Sequence, residues 1–207
     1  MSPQPTPEDV LHHPERIHGY SYGTASAGPS PLSLDDLMKL KAAVGLTDQG
    51  DAALRAAGEV LAPRAADMVT AWRTQVGQHP FLALYSAHPD GSPNPEYGAA
   101  STLRFDRWVI DACTRPLDQA WLDQQHEIGL RHNRAKKNQT DHADSVDHIP
   151  LRYLLAFTAV IITSARDFLA DEGRSTEQID EMHAAFTKSV MLHVTVWTRA
   201  YTANNQW

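Results

Sequence analysis

Between Pro150 and Leu169 the chain places Leu154, Leu155, Phe157, Val160, Ile161 and Ile162 so that apolar side chains point around most of a helical circumference. A helix of that kind cannot lie on a surface with one face in water; it must be covered on two sides. The rest of the chain agrees with a helical partner rather than a sheet. Ser33 with Asp36 marks a helix start, and Leu34, Leu37, Met38 and Val44 form a stripe that ends near Gly45. A second helix is predicted from about Asp48 to Leu61. Pro63 suits the first turn of a third, which carries Met68, Trp72 and Val76 before Gly77 and Pro80, with Trp72 facing inward. Tyr97, Ser101, Phe105, Trp108 and Ala112 recur at spacings of three and four, as do Trp121, Gln125, Ile128 and His132 after Pro116. Gly173 closes the apolar segment. Ser175 with Gln178 opens a last long helix lined by Ile179, Met182, Phe186, Val190, His193, Trp197 and Tyr201. No segment has a convincing strand period. The expectation is an all-α fold of about seven helices, preceded by a Pro-, Gly- and Ser-containing arm over residues 1–32.

Composition removes several function classes. The 207 residues suffice for one domain, with 42% hydrophobic and 21% charged residues. A formal charge of -7 argues against general nucleic-acid binding. The longest apolar run, Leu154 to Thr163, is about half a membrane span and is flanked by Arg152 and Arg166. The N-terminus has Pro, Glu and His where a secretory signal needs a basic start and an apolar stretch, so a cytoplasmic location is expected. The single cysteine, Cys113, sits in an apolar helical pattern and reads as core filler.

Eleven histidines invite a metal reading. His126 with Glu127 resembles the start of a zinc-protease motif, but the next histidine is six residues on, about 120° away around a helix. His12 and His13 fall in the arm, and His79, His88, His142 and His148 beside turns. His193 reads as a hydrogen-bonded core or interface histidine. His132 differs in its company. A histidine ending an apolar stripe is ordinarily a buried structural residue. Here large aromatics on three other helices, Trp72, Phe105 and Phe157, complete what is needed to wrap a flat apolar macrocycle. Arg131, Arg134, Lys136 and Lys137 lie at the C-terminal end of the His132 helix, where cations complement the macrodipole and also suit the carboxylates of a haem.

The segment WLDQQHEIGLRHNRAKKNQTD resembles the proximal-histidine region of protoglobins, single-domain relatives of globin-coupled sensors. IHGYSYG, FDRWVIDA, HIPLRYLLAF and FTKSVMLHVTVWTRAYT extend the resemblance over residues 17–207. It implies a globin fold with an N-terminal extension and an extra N-terminal helix: an arm over 1–32 that partly covers a haem, and one globin domain over 33–207. It also implies haem b (iron protoporphyrin IX) with His132 as the iron ligand. Trp72, Val76, Arg104, Phe105, Trp108, Phe157 and Ile161 would surround the cofactor, and Trp72, Arg73 and Phe105 the ligand space. The arm near Gly19 to Gly23 would pack over the haem edge, and a homodimer would form through the last two helices. Two positions depart from the family pattern. Arg73 stands where tyrosine is common, and is placed either towards solvent or a haem carboxylate, or as a donor over the iron. His126 also replaces a frequent tyrosine.

The function implied is reversible binding of dioxygen, carbon monoxide or nitric oxide, as a gas binder or sensor. The globin pattern runs to the end of the chain, so sensing would require a separate signalling partner, and iron reduction a separate reductase. A second reading is a haem enzyme with peroxidase-like or nitrite- or nitric-oxide-converting activity, for which the Arg73 cation would stabilise developing charge. A third is a helical dimerisation module without cofactor.

Overall fold

In a computed structural model, which describes residues 5–170 and 173–202, nine α-helices and no strand occur among the described residues. They are α1 (Pro7–His12), α2 (Leu34–Ala43), α3 (Asp48–Leu61), α4 (Ala65–Gly77), α5 (Pro80–Ala83), α6 (Pro95–Thr114), α7 (Gln119–Leu130), α8 (Leu151–Leu169) and α9 (Thr176–Thr198). The two expected capping boxes form, Ser33 with Asp36 and Ser175 with Gln178, each satisfying two otherwise orphaned backbone donors. Gly45, at φ +68°, terminates α2 in a left-handed turn in which Leu46 N–H returns to Lys41 C=O.

Helix α9 is the central element, packed on α3, α8 and α7, while α6 lies against α3, α4 and α9. Leu61, Met68, Val69, Val109, Ala165, Leu169, Phe186 and Val190 fill the main core, each fully shielded from solvent. A smaller cluster of Leu37, Trp121, Leu122, Leu192 and Val196 seats α2 on α7 and α9. Cys113 is buried beside Gly58, and burial pushes its thiol up to about 12, so it remains an inert core side chain. None of the helices among the described residues is long and apolar enough to cross a membrane.

Three element boundaries differ from the sequence reading. The arm contains α1, which starts at Pro7 under a reciprocal Thr6–Asp9 cap; a six-residue helix is too short to show a periodic stripe. Pro63 lies in a short 3-10 turn over Ala62–Arg64, and α4 begins after it. Most consequential for the site, α7 ends at Leu130, two residues before His132. The i−4 acceptor for His132 N–H is Ile128 C=O, but the His132 imidazole itself takes that carbonyl, and the backbone N–H moves to Gly129 C=O at 3.2 Å.

Candidate functional site

His132 is held by its backbone and its ring together. Its Nδ1 lies 2.7 Å from Ile128 C=O, which can only accept, so Nδ1 carries the proton and Nε2 the lone pair. Nε2 has no hydrogen-bond partner among the described residues. Burial holds the imidazole below its usual range; the Ile128 hydrogen bond opposes this, and the charges of Lys137, Arg131 and Arg73 reinforce it. The His132 carbonyl accepts from both Tyr201 Oη and Ile149 N–H, each at 2.9 Å. The ring stacks on Trp197 at 5.6 Å and 17°, and Trp197 Nε1–H donates to Gln125 Oε1 at 2.9 Å. The result is a neutral imidazole in one tautomer and one orientation, on a residue that borders a cavity of about 290 Å³.

The cavity walls come from α4, α6, α7, α8 and α9. Val76, Phe105, Trp108, Phe157 and Ile161 supply apolar surface on its border, with Ile128 and Leu154. Helical spacing explains the grouping: Leu154, Phe157 and Ile161 follow one another at three and four residues on α8, as Phe105 and Trp108 do on α6. Arg104 also borders the cavity, but its guanidinium is engaged by Asp141 through two bonds, at 2.9 and 2.6 Å, and by His18 C=O. Trp72 lies a layer behind this surface. It is 1% exposed and does not form the wall; its indole packs behind Phe105 at 5.2 Å, and its N–H reaches away to Ser164 Oγ on α8.

Arg73 extends to the cavity border from α4 and donates through Nη2 to Ser101 Oγ at 2.8 Å, while its Nε is buried without a partner. Desolvation lowers its affinity for the proton, with Tyr97 and Asp106 opposing. Asp106, on α6, is 6% exposed, has an unpartnered Oδ1, and is pushed up to about 6 by burial, against the attraction of Arg73. The charge of Arg73 also reaches His132, so these two side chains share one electrostatic environment.

Glu127 is buried and pairs with both Arg131 at 2.9 Å and Lys136 at 2.6 Å. Of the expected basic cluster, Arg131 and Lys136 border the cavity and Arg134 is exposed. Lys137 is buried over the Tyr97 ring at 5.1 Å, and burial lowers its ammonium to about 8. The arm closes one side. Tyr20 borders the cavity, donates to Asp111 Oδ2 at 2.6 Å and accepts from Arg115, while Gly19 C=O accepts from Arg131. Gly19 has φ +74°, and a Cβ there would collide with Thr140, so the close approach needs glycine.

Sequence reasoning missed Tyr20, Tyr85, Tyr97, Tyr153 and Trp197, all on the cavity border. Trp197 lies four residues after His193 on the expected stripe, a signal that marked it as core but not as a partner of His132. Of the other histidines, His193 is buried and accepts from Trp108 Nε1 through Nδ1 at 2.9 Å. His126 is half-buried, off the cavity border, with an unpartnered Nδ1. Among the described residues there is no group of three or more His, Cys, Asp or Glu that could hold a metal ion, so any metal at His132 must bring further ligands with it.

No curated protein matches the chain. The sequence model of the family described as Protoglobin matches residues 33–207, which include His132, Arg73 and every helix from α2 to α9. A cavity with apolar surface from Phe105, Phe157 and Ile161, bordered by a neutral histidine whose Nε2 has no hydrogen-bond partner among the described residues, is what a globin requires. The chain therefore belongs to the protoglobin family of haem-binding, gas-binding globins.

Proposed function

We propose that the cavity holds haem b with Nε2 of His132 as the protein's iron ligand, and that the protein reversibly binds dioxygen, carbon monoxide or nitric oxide as a gas binder or sensor. The observation that carries this reading is the bare Nε2 of a histidine whose Nδ1 is committed to Ile128. A second partner of this kind fixes tautomer and ring orientation and raises ligand basicity. The donor set fits the group: one neutral nitrogen, aromatic and aliphatic walls from Phe105, Phe157 and Ile161, and two cations on the border, Arg131 and Lys136, suited to its carboxylates. The haem supplies the ligand-binding iron. The chain orients His132, excludes water with Tyr20 and the arm, and presents Arg73 to the ligand space.

Purified protein, or apoprotein titrated with ferric haem, should show an intense band near about 400 nm that shifts with carbon monoxide after reduction with dithionite. Protein that folds yet gives no such band at equimolar haem overturns the reading and leaves a helical module without cofactor. Arg73 favours a second reading, a peroxidase-like or nitrite- or nitric-oxide-converting enzyme, because its buried, unpartnered Nε offers a fixed positive donor to developing charge. Steady turnover of peroxide or nitrite well above that of free haem would select it. A homodimer through α8 and α9 also belongs to the proposal: Leu155 is 45% and Met191 40% exposed on these helices. Sedimentation should show twice the chain mass; a stable monomer removes the dimer.

A further inference from the structure

Four of the five tryptophans lie in one aromatic chain that begins at the site histidine. His132 stacks on Trp197; Trp197 lies 5.5 Å from Trp108; Trp108 lies 5.6 Å from Phe105, which lies 5.2 Å from Trp72. A branch passes through His193, edge-on to both Trp197 at 6.3 Å and Trp121 at 4.8 Å. Tyr22 of the arm packs against the apolar cluster that contains Trp121. Burial of apolar surface explains why such rings are inside. It does not require that the ring stacked flat on the histidine be the most readily oxidised apolar side chain.

We propose that Trp197 is a redox partner of the haem, supplying one electron when a hydroperoxide is reduced at the site. This rests on the haem reading above. As its O–O bond breaks, the hydroperoxide takes up two electrons and two protons and becomes an alcohol, or water, plus water. One of these electrons would come from the indole of Trp197 and the other from the bound haem. Two phenol molecules restore the protein, each losing one electron and one proton, so charge and protons balance.

The surroundings of Trp197 suit an indole cation radical. Its N–H donates to Gln125 Oε1, a neutral acceptor that stabilises positive charge on the ring but is too weak a base to remove the proton. The ring is 5% exposed, which shields the radical from solvent. The neighbouring His193 accepts from Trp108 through Nδ1, and burial pushes its imidazole down to about 3, so at neutral pH it adds no opposing charge to the tryptophan cluster. Trp108 and the His193–Trp121 branch continue the contacts away from His132, giving a hole a route to the arm.

The test is freeze-quench electron paramagnetic resonance of the haem-loaded ferric protein mixed with hydrogen peroxide. The expected result is an organic radical whose hyperfine pattern collapses when the protein contains ring-deuterated tryptophan. It should be lost in Trp197→Phe and retained in Trp72→Phe, with the absorption band present in both. Because Trp197→Phe also removes packing, Gln125→Glu provides a second arm: a carboxylate facing the indole N–H should prolong the radical with Trp197 in place. An unchanged radical in Trp197→Phe, or a parent protein with the haem band but no tryptophan radical, overturns the relay. A parent protein without the band overturns the haem reading itself.

Discussion

Two polar residues on the cavity border, His132 just beyond the end of α7 and Arg73 on α4, are held in opposite ways. His132 is over-determined: Nδ1 is bonded to Ile128, the carbonyl accepts from Tyr201 and Ile149, and the ring is stacked on Trp197. Arg73 is under-satisfied: one hydrogen bond to Ser101 holds its fork, its Nε is unpartnered, and the nearby Asp106 keeps an unpartnered oxygen of its own. Unsatisfied buried polar atoms cost free energy and persist only where something compensates. A residue that holds a permanent group should be fixed in advance. One that meets an exchanging ligand can carry unspent hydrogen-bonding capacity.

The largest effect should come from removing the fixed partner. His132→Ala should speed haem loss about a hundredfold or more, beyond the range typical of an outer-shell partner, and added imidazole should restore the spectrum. Rapid mixing with a haem scavenger measures this; an unchanged rate with no imidazole rescue would break the contrast at its stronger end. His126→Ala and His193→Ala should retain the haem, since neither replaces the bare Nε2 of His132.

The next effect concerns the unpaired carboxylate. Because the folded-state pKa of Asp106 is raised from 3.8 to about 6, the folded protein binds this proton more tightly than the unfolded chain. Stability from this group is therefore greatest below about pH 4 and declines as pH rises towards 6. Asp106→Asn should flatten that decline and stabilise the protein at pH 7 by roughly 1–3 kcal/mol, measured by urea unfolding across this range. An Asn variant less stable at pH 7 than the parent would mean that the attraction of Arg73 outweighs the burial penalty on the Asp106 charge.

Arg73→Leu sharpens the comparison from the ligand side. Loss of a charge-assisted hydrogen bond should speed dioxygen release by one to two powers of ten, roughly 1.4–2.8 kcal/mol, with a much smaller change for carbon monoxide. Equal dioxygen release rates in parent and variant would mean that Arg73 serves only Ser101 and Asp106, removing most support for the enzymatic reading. Smallest is Tyr201→Phe. The His132 carbonyl keeps its bond from Ile149 N–H, so thermal unfolding should register a loss of about 1 kcal/mol with haem retained.

Much of the helical frame was legible because caps and stripes are local. Ser33 with Asp36, Ser175 with Gln178, and the spacing of Leu154, Phe157 and Ile161 need only a few neighbouring residues to declare a start or a face. His132 was legible for the same reason, as the one histidine closing the Trp121–Gln125–Ile128 stripe. Trp72 was legible as an inward residue, but its place behind Phe105 was not, since the 3.6-residue period gives a direction and not a depth. Tyr20 falls in the Gly19–Gly23 stretch that the resemblance placed over a haem edge, but its own contacts were not legible, because they are with Asp111 and Arg115, more than ninety residues away.

By itself, then, the sequence determined an all-helical chain, the stripe that delivers His132, and the charge pattern at the end of that helix, all set by hydrogen bonds and side-chain spacing within a few turns. Only the tertiary structure decided that the Ile128 carbonyl goes to the imidazole, that Trp197 lies flat against it, that the arm brings Tyr20 to the cavity, and that Arg73 arrives there with capacity unspent. The reason is physical. The tautomer and orientation of a ring and the satisfaction of a buried donor depend on which groups long-range packing brings within about 3 Å, and helical periodicity carries no information about those partners.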